Sequence, residues 1–342
     1  MTPHDGHQAP LMGIFGSGRS GSTWLGAIVS SHPDIVYRFE PLHRLAGLDA
    51  RVRELRGQLS TGQFGPDMLG ELYAALLRAR PEVEKPPFFA KRDRGSRQLG
   101  RSVLWPLARR SATCARAFER LYTPRARPPL VFKEVTSELI MANLLARTAM
   151  RVVYLVRHPC GVAHSTLAGQ RRGLMPSDRR RVLGDTIRRL DPELPRRLGF
   201  DLERATPIEI EALCWRLDAE IGLAAARASA NAHIVVYEDL CADPLGVAQG
   251  VLGHFGLALT PATRQFIDRS MHGSGLGKLA YGEVGVDAYF SVFRDPRATR
   301  DRWRHELTAD DQARVLHLVE DSPAFQCLFG RGKQAAAQAA CA

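Results

Sequence analysis

Apolar positions along the chain change period several times, and each change marks an element boundary. LMGIF, residues 11–15, is short and continuously apolar, the pattern of a buried strand. After a glycine-rich turn, TWLGAIVSSHP spaces Leu25, Ile28 and Val29 along one helical face that stops before Pro33. DIVYRFEP is a second strand candidate ending at Glu40. Residues 43–128 are less orderly: MLGELYAALLRAR is an amphipathic helix, KPPFFAKRDRGSR a loop, and VLWPLARRSATCARAFERLY is predicted helical after Pro106. PPLVFKEV then reads as a strand and ELIMANLLART as a helix. RVVYLV, residues 151–156, is the strongest strand, and its near-continuous apolar character suits a central parallel strand covered on both faces.

CGVAHSTLAG opens the next helix, and residues 170–206 form a second irregular insertion rich in arginine and proline. EIEALCWRLDAEIGLAAARA is a long helix and HIVVY another buried strand. GVAQGVLGHFG and PATRQFIDRSM are helices, residues 273–285 a flexible glycine-rich segment, and TADDQARVLHLVED the last ordered helix. Residues 1–10 and 331–342 are expected to be disordered, leaving 11–330 as a single domain. Strands alternating with helices imply a parallel sheet with helices on both faces. Ligands then belong at the carboxyl ends of the strands. Arg19 and its loop, Glu40, Lys133, Arg157 and the stretch Tyr237 to Asp239 all fall at such ends.

Charge sharpens this picture. The 342 residues carry 47 Lys and Arg against 36 Asp and Glu, a formal charge of +11, and only five of the basic residues are lysine. Such a field attracts anions. No zinc-finger, RNP-type or heptad signature accompanies it, so nucleic acid is not an expected partner. The six cysteines, at 114, 160, 214, 241, 327 and 341, show no C-x-x-C pairing and read as reduced thiols of a cytoplasmic protein. His4 and His7 have no Cys or Glu partner, so no metal site is expected. No run approaches about 18 consecutive apolar residues, so no membrane span is expected. MTPHDGHQAP carries no secretory pattern.

Gly16 to Thr23 reads G-S-G-R-S-G-S-T, close to the phosphate loop G-x-x-x-x-G-K-[ST]. Ser22 stands where that loop has its lysine, and Arg19 lies three positions earlier. The strand VVYLV ends in Arg157, where a nucleoside-triphosphate site would place a magnesium-binding Asp. The loop thus keeps the N–H cradle and helix N-terminus that bind anions, with extra cationic side chains. That suits a ligand with separated anionic groups.

Four segments resemble the sulfotransferases that use 3'-phosphoadenylyl sulfate (PAPS), nearest the carbohydrate and Golgi-type branch and its bacterial relatives. GSGRSGSTWL followed by SSHPDIVYRFEPLH is similar to the 5'-phosphosulfate loop and F-E-P element. YLVRHPCGVAHS is similar to the 3'-phosphate element, with His158 and Cys160 in place of the usual Asp and Arg. VVYEDLCADP resembles the Y-E-D-L segment, and FSVFRDPRATRDRWRHEL the stretch that closes over the nucleotide. The resemblance implies a P-loop-type three-layer α/β/α fold with a central parallel sheet and helical insertions, and no metal. It implies PAPS as co-substrate, PAP as product, and a sugar, phenol or natural-product hydroxyl as acceptor. The eukaryotic carbohydrate enzymes carry a membrane anchor, and none is expected here.

The same resemblance implies residue roles. Arg19 would hold the 5'-phosphosulfate and stabilise the departing phosphate, with Gly18, Ser20, Gly21, Ser22 and Thr23 supplying N–H groups and hydroxyls. Arg157 and Ser165, at a strand end and two turns into the next helix, would share the 3'-phosphate, while His164 is expected to pack. Trp24 is either an adenine-stacking ring or core, and Tyr237, Ser291 and Arg294 resemble nucleotide contacts. Glu40 is the candidate general base, with its carboxyl raised toward working pH by burial. The alternative for Glu40 is an ion pair with Arg38 or Arg44; His43 is the reserve base. Lys133, beside Glu134, is a transition-state cation or a member of a strand-edge salt bridge. Trp303 and Phe329 read as core. The competing functions are an ATP-dependent kinase with a degenerate loop and a non-catalytic nucleotide-binding scaffold.

Overall fold

The computed structural model describes residues 11–92, 98–176, 179–272, 278, 281–283 and 287–330. Five strands, β1 (Leu11–Phe15), β2 (Val36–Phe39), β3 (Leu130–Lys133), β4 (Arg151–Val156) and β5 (Ala232–Val236), form one sheet in the order β2-β3-β1-β4-β5. Every pairing is parallel. The chain runs outward from β1 to one side and then crosses to the other, so the direction of winding reverses beside β1. An α/β sheet opens its ligand crevice at such a point.

The pleat divides the core. Leu11, Phe15, Leu130, Phe132, Val152, Tyr154 and Val156 face one apolar layer, while Met12, Ile14, Val131, Val153, Leu155 and Val235 face the other. The first layer receives α7 (Glu138–Arg147), α8 (Pro159–Arg171) and the long α11 (Pro207–Arg227). The second receives α1 (Ser22–Ser30), α13 (Pro244–His254) and α14 (Pro261–Met271). Both faces of β1, β3 and β4 are therefore dry, which explains their continuous apolar runs. β5 is different: it lies at the sheet edge and is half-buried, against the expectation of another fully buried strand.

The insertions are more helical than their sequences suggest. Residues 43–128 hold α3 (Ala50–Thr61), which the apolar pattern does not announce because only Val52, Leu55 and Leu59 are buried on it. Asp49 starts it by accepting from the N–H groups of Arg51 and Val52. The expected helix after Pro106 is two helices, α5 (Gln98–Ala108) and α6 (Ala112–Tyr122). Pro106 sits in the last turn of α5, where it has no N–H to donate to the carbonyl four residues back, and Ser111 caps α6. Residues 170–206 carry α9 (Arg180–Leu190) and α10 (Leu194–Leu198) in place of irregular chain. A helix at Pro323–Phe329 follows the one expected to be last, and packs Phe325 and Phe329 on Trp215. The termini and most of the glycine-rich segment at 273–285 lie outside the described residues. Among the described residues no helix is long and apolar enough to cross a membrane.

Arg38 ties the first insertion to the sheet. Its side chain is fully buried, pairs with Glu84 at 2.7 Å and donates to the carbonyls of Leu76 and Leu77. Arg38→Met should lower the unfolding free energy by about 1–3 kcal/mol, because two buried carbonyls lose their donor while Glu84 keeps Arg101. Urea denaturation measures it; a loss of under about 1 kcal/mol would show the pair to be dispensable.

Candidate functional site

The carboxyl ends of the strands open into one cavity of about 700 Å³. The loop after β1 forms its floor. Gly21 has φ 96°, and a Cβ there would lie 2.3 Å from Cδ2 of Tyr237, so only glycine fits. The first helical backbone bonds of α1 run from Trp24 and Leu25 to the Gly21 carbonyl. The N–H groups of Ser22 and Thr23 are left without helical acceptors. No acidic residue occupies that turn, and the helix end is open to an anion. Gly18, Gly21, Ser22 and Thr23 line the cavity. Ser20 is fully buried beneath them, and its hydroxyl has no hydrogen-bond partner.

Arg157 follows β4. Its carbonyl accepts from the Trp215 indole at 2.9 Å, which fixes the strand end. Its guanidinium lies 4.5 Å from the Tyr237 ring centroid and donates to the carbonyls of Arg19 and Thr299 at 3.2 and 3.0 Å. Of its other N–H groups, the one on Nε is buried and unpartnered. Gly161 makes room for it: a Cβ there would stand 2.8 Å from Arg157 Nε. His158 does the capping work of the Asp it replaces, its Nδ1 accepting from the Cys160 N–H. Burial, with Arg304 and Arg157 nearby, pushes its pKa down to about 3, so this cap is neutral. Cys160 is fully buried.

Arg19 is not confined to the loop. At φ 67° its side chain crosses to α8, where Nε donates to the Ser165 hydroxyl at 3.0 Å. The guanidinium also donates to the Tyr289 carbonyl and lies 4.0 Å from that ring's centroid. Burial, against help from Tyr289 and reinforced by Arg294 and Arg157, brings its pKa down to about 10. Arg19 thus joins the first anion loop to the Arg157–Ser165 element, whereas the sequence assigned it to the loop alone.

Glu40 and Lys133 meet at the ends of β2 and β3. The register that sets Phe39 beside Lys133 brings the two side chains together. Lys133 Nζ donates to Glu40 Oε1 at 2.6 Å, and Arg44 donates to Oε2 at 3.1 Å. Glu40 has φ 50°, a strained value for a residue with a side chain. Burial raises its carboxyl, but Lys133, Arg44 and Lys85 outweigh it and hold the pKa below the ordinary 4.5. This reverses the expectation of a raised pKa. The ion-pair alternative is present with Arg44; Arg38 is committed to Glu84. The salt-bridge alternative for Lys133 is thus present, with Glu40 as its partner; the adjacent Glu134 carboxylate takes His43 Nδ1 at 2.8 Å and the Leu42 N–H instead. His43 therefore faces away from the cavity and does not line it.

Tyr237, Ser291 and Arg294 all line the cavity. The Ser291 hydroxyl is already committed to Glu283 at 2.6 Å. Trp24 belongs to the core and donates to Ser270 at 3.0 Å, though it also reaches the cavity wall. His164 lines the cavity and binds Glu306 at 2.9 Å, beyond the packing role expected of it. Trp303 stacks on His158 at 4.5 Å, as core. Sequence reasoning missed Lys85, Trp105 and Tyr289 as lining residues. Lysine's rarity, the signal that singled out Lys133, was available for Lys85 too.

The family model described as "Sulfotransferase family" matches residues 10–261. The chain belongs to that family. This sulfotransferase is 26% identical to human carbohydrate sulfotransferase 5 over 342 residues, covering 93% of this chain and 77% of that protein. Mouse carbohydrate sulfotransferase 5 is 28% identical over 333 residues, covering 89% and 77%. Among solved structures, the sulfotransferase domain of a Synechococcus olefin synthase aligns with a TM-score of 0.45 at 19% identity, covering 94% of this chain and 97% of that one. Family membership makes the protein an enzyme of sulfuryl transfer, and sets aside the kinase and scaffold readings.

The Glu40–Lys133 pair has a measurable signature. A carboxyl depressed in the folded state stabilises the protein above its unfolded pKa of about 4.5, and that stability is lost as pH falls through the lower folded value. Lys133→Met removes the main cause of the depression, and carboxyl-carbon NMR should then show Glu40 titrating at higher pH. An unchanged titration would contradict the pairing.

Proposed function

We propose that this sulfotransferase takes its sulfuryl group from PAPS and delivers it to a sugar hydroxyl, with Glu40 as general base. The observation that carries the reading is one cavity joining two separate anion sites to a paired carboxylate and lysine. The residues fit a ligand with two anionic positions: Ser22 and Thr23, whose N–H groups lack helical acceptors, line the cavity, and so does Arg157, whose Nε is a buried donor without a partner. When bound, that co-substrate supplies the sulfuryl group and a phosphate leaving group. The N–H groups of Ser22 and Thr23 would hold the 5' side. Arg157, with Ser165, would hold the 3'-phosphate, and Arg19 would span the two. Tyr237, Trp24 and Arg294 would bound the nucleotide. Ser291 would act through the shape of the closing segment.

The in-line reaction needs a base for the acceptor proton and positive charge for the sulfuryl oxygens. Glu40 is ionised throughout the neutral range, so it is always ready to accept. A low pKa makes it a weak base for a free alcohol, yet the hydroxyl proton grows acidic as its oxygen bonds to sulfur. Lys133, drawn toward the transferring group, would relax its hold on Glu40 and strengthen the base. The insertions would form the acceptor side of a single domain spanning 11–330, supported by Trp105 and Arg109 from the first and Leu174 and Met175 from the second on the cavity wall. The names of the curated relatives favour a sugar acceptor. A cytoplasmic setting is supported by the unpaired state of Cys114, Cys160, Cys214, Cys241 and Cys327.

PAP at 100 times its dissociation constant should stabilise the fold by about 2.7 kcal/mol, without magnesium. Arg157→Ala should weaken PAP by about 1.5–3 kcal/mol, the worth of a charge-assisted hydrogen bond. Calorimetric titration checks both proteins; equal affinity would remove the 3'-phosphate assignment. Glu40→Gln should retain PAP affinity and lose about 10²–10⁴ in kcat. The wild-type acid limb should lie below the ordinary carboxyl value of 4.5. A limb near pH 6.5 would instead indicate a histidine.

A further inference from the structure

Lys85 enters the scheme above only as one of three cations that depress the Glu40 pKa, and its setting asks for more. It precedes two prolines in the first insertion and is half-buried in the cavity wall. Its ammonium lies 4.6 Å from the Phe39 ring centroid. Lys133 lies 4.3 Å from that same centroid and the Arg44 guanidinium 4.8 Å. Phe290 approaches it from the closing segment at 5.6 Å. Three cations thus crowd one ring, and the carboxylate among them, Glu40, is shared by Lys133 and Arg44. Among the described residues no carboxylate lies within ion-pair distance of Lys85.

The neighbouring wall does not cancel this charge. Glu84 is held by Arg38 and Arg101. Glu82 and Arg109 also line the cavity. Glu40 and the buried Glu283 act on Lys85 from beyond ion-pair distance and only partly offset the burial and the cations around it. Burial and the nearby Lys133 prevail and lower the Lys85 pKa to about 8, so the ammonium is charged at neutral pH while poorly solvated. A half-buried ammonium at a binding wall with no directly paired carboxylate gains from an arriving anion. The phosphate positions already have Arg19, Arg157 and the loop. Lys85 shares its wall instead with Trp105, whose indole is fixed by the carbonyls of Pro81 and Glu84 at 3.0 and 2.8 Å. The Arg109 guanidinium lies 5.0 Å from the Trp105 ring centroid, so this wall presents an indole and two cations, a setting that suits an acidic sugar.

We infer, resting on the sulfotransferase reading above, that Lys85 is a specificity-determining residue that receives a negative substituent of the acceptor. The preferred acceptor is then a sugar bearing a carboxylate or a sulfate ester near the hydroxyl that is modified.

The experiment uses the full chain, PAPS and three matched disaccharides: neutral, uronate-bearing and already sulfated. Wild type should favour at least one anionic disaccharide over the neutral one by about 10–100-fold in kcat/KM, the size of one charge-assisted contact. The identity of the favoured one distinguishes carboxylate from sulfate. Lys85→Met should collapse that ratio toward one through KM for the anionic acceptor, with PAP affinity little changed; any kcat change from removing a cation near Glu40 is shared by all three acceptors and leaves the ratio untouched. Lys85→Arg, which keeps the charge, should retain the preference, and controls for loss of fold. Equal wild-type use of all three, or a Lys85→Met loss that is the same for all three, would overturn the inference. The second result would place Lys85 on the sulfuryl group. PAP binding is measured first. A protein that does not bind PAP overturns the donor reading and this inference with it. Bound PAP with no preference for an anionic acceptor overturns this inference alone.

Discussion

The two anion-binding segments are separated by most of the first half of the chain, and one buried arginine holds them in a single site. Arg157 is locked at its own carbonyl by Trp215, while its guanidinium clasps the carbonyls of Arg19 and Thr299. Three parts that must act together therefore meet on one side chain: the loop after β1, the end of β4 and the closing segment. An arginine suits this task because its planar fork reaches two carbonyls and still has N–H groups to spare. One of the spare N–H groups, on Nε, is buried without a partner. The residue that assembles the site is thus the one with unspent capacity for a ligand.

A second constraint sets the chemistry at the other end of the cavity. β2 pairs with β3 in a register that lays Glu40 beside Lys133, and the left-handed backbone at Glu40 turns its carboxylate inward. Backbone pairing and side-chain pairing reinforce one another, since the Glu40 N–H donates to the Lys133 carbonyl at 2.8 Å. Glu134, the next residue, does the opposite work behind the wall. It collects the Leu42 N–H and His43, and so anchors the turn that carries Glu40. Two adjacent acidic and basic positions on one strand end face different sides, as the pleat requires.

What the sequence made legible follows the same physics. Short, continuous apolar runs betray strands that are dry on both faces, so β1, β3 and β4 could be read directly, as could the glycine-bearing loop. β5 was read as fully buried because an edge strand that keeps one apolar row looks the same in one dimension. α3 escaped notice because it buries only Val52, Leu55 and Leu59, too thin a stripe among charged neighbours. The depressed pKa of Glu40 was out of reach for a different reason. Its controlling partner comes from another strand, and the sign depends on whether burial or Lys133 prevails, which only the register decides. The Arg19 contact with Ser165 is likewise a long-range fact: a residue read as part of a local loop spans to a helix far along the chain.

The choice of lysine over arginine is informative in a chain where arginine supplies 42 of 47 basic side chains. Lys85, Lys91 and Lys133 all sit in confined positions. Lys91 donates to the carbonyls of Ser30 and His32, while Lys85 and Lys133 lie over Phe39. A guanidinium is too broad to share that ring with Arg44 and keeps its charge however it is buried. An ammonium is compact, and burial brings its pKa within reach of neutral pH, as the downward shifts of Lys85 and Lys133 illustrate. At this end of the cavity the cations respond to what arrives: an anion raises their pKa and tightens their hold, and its departure relaxes both. At the other end of the cavity stand Arg19 and Arg157, and guanidinium groups keep their charge in the neutral range. The division between the two residue types follows the two ends of the cavity.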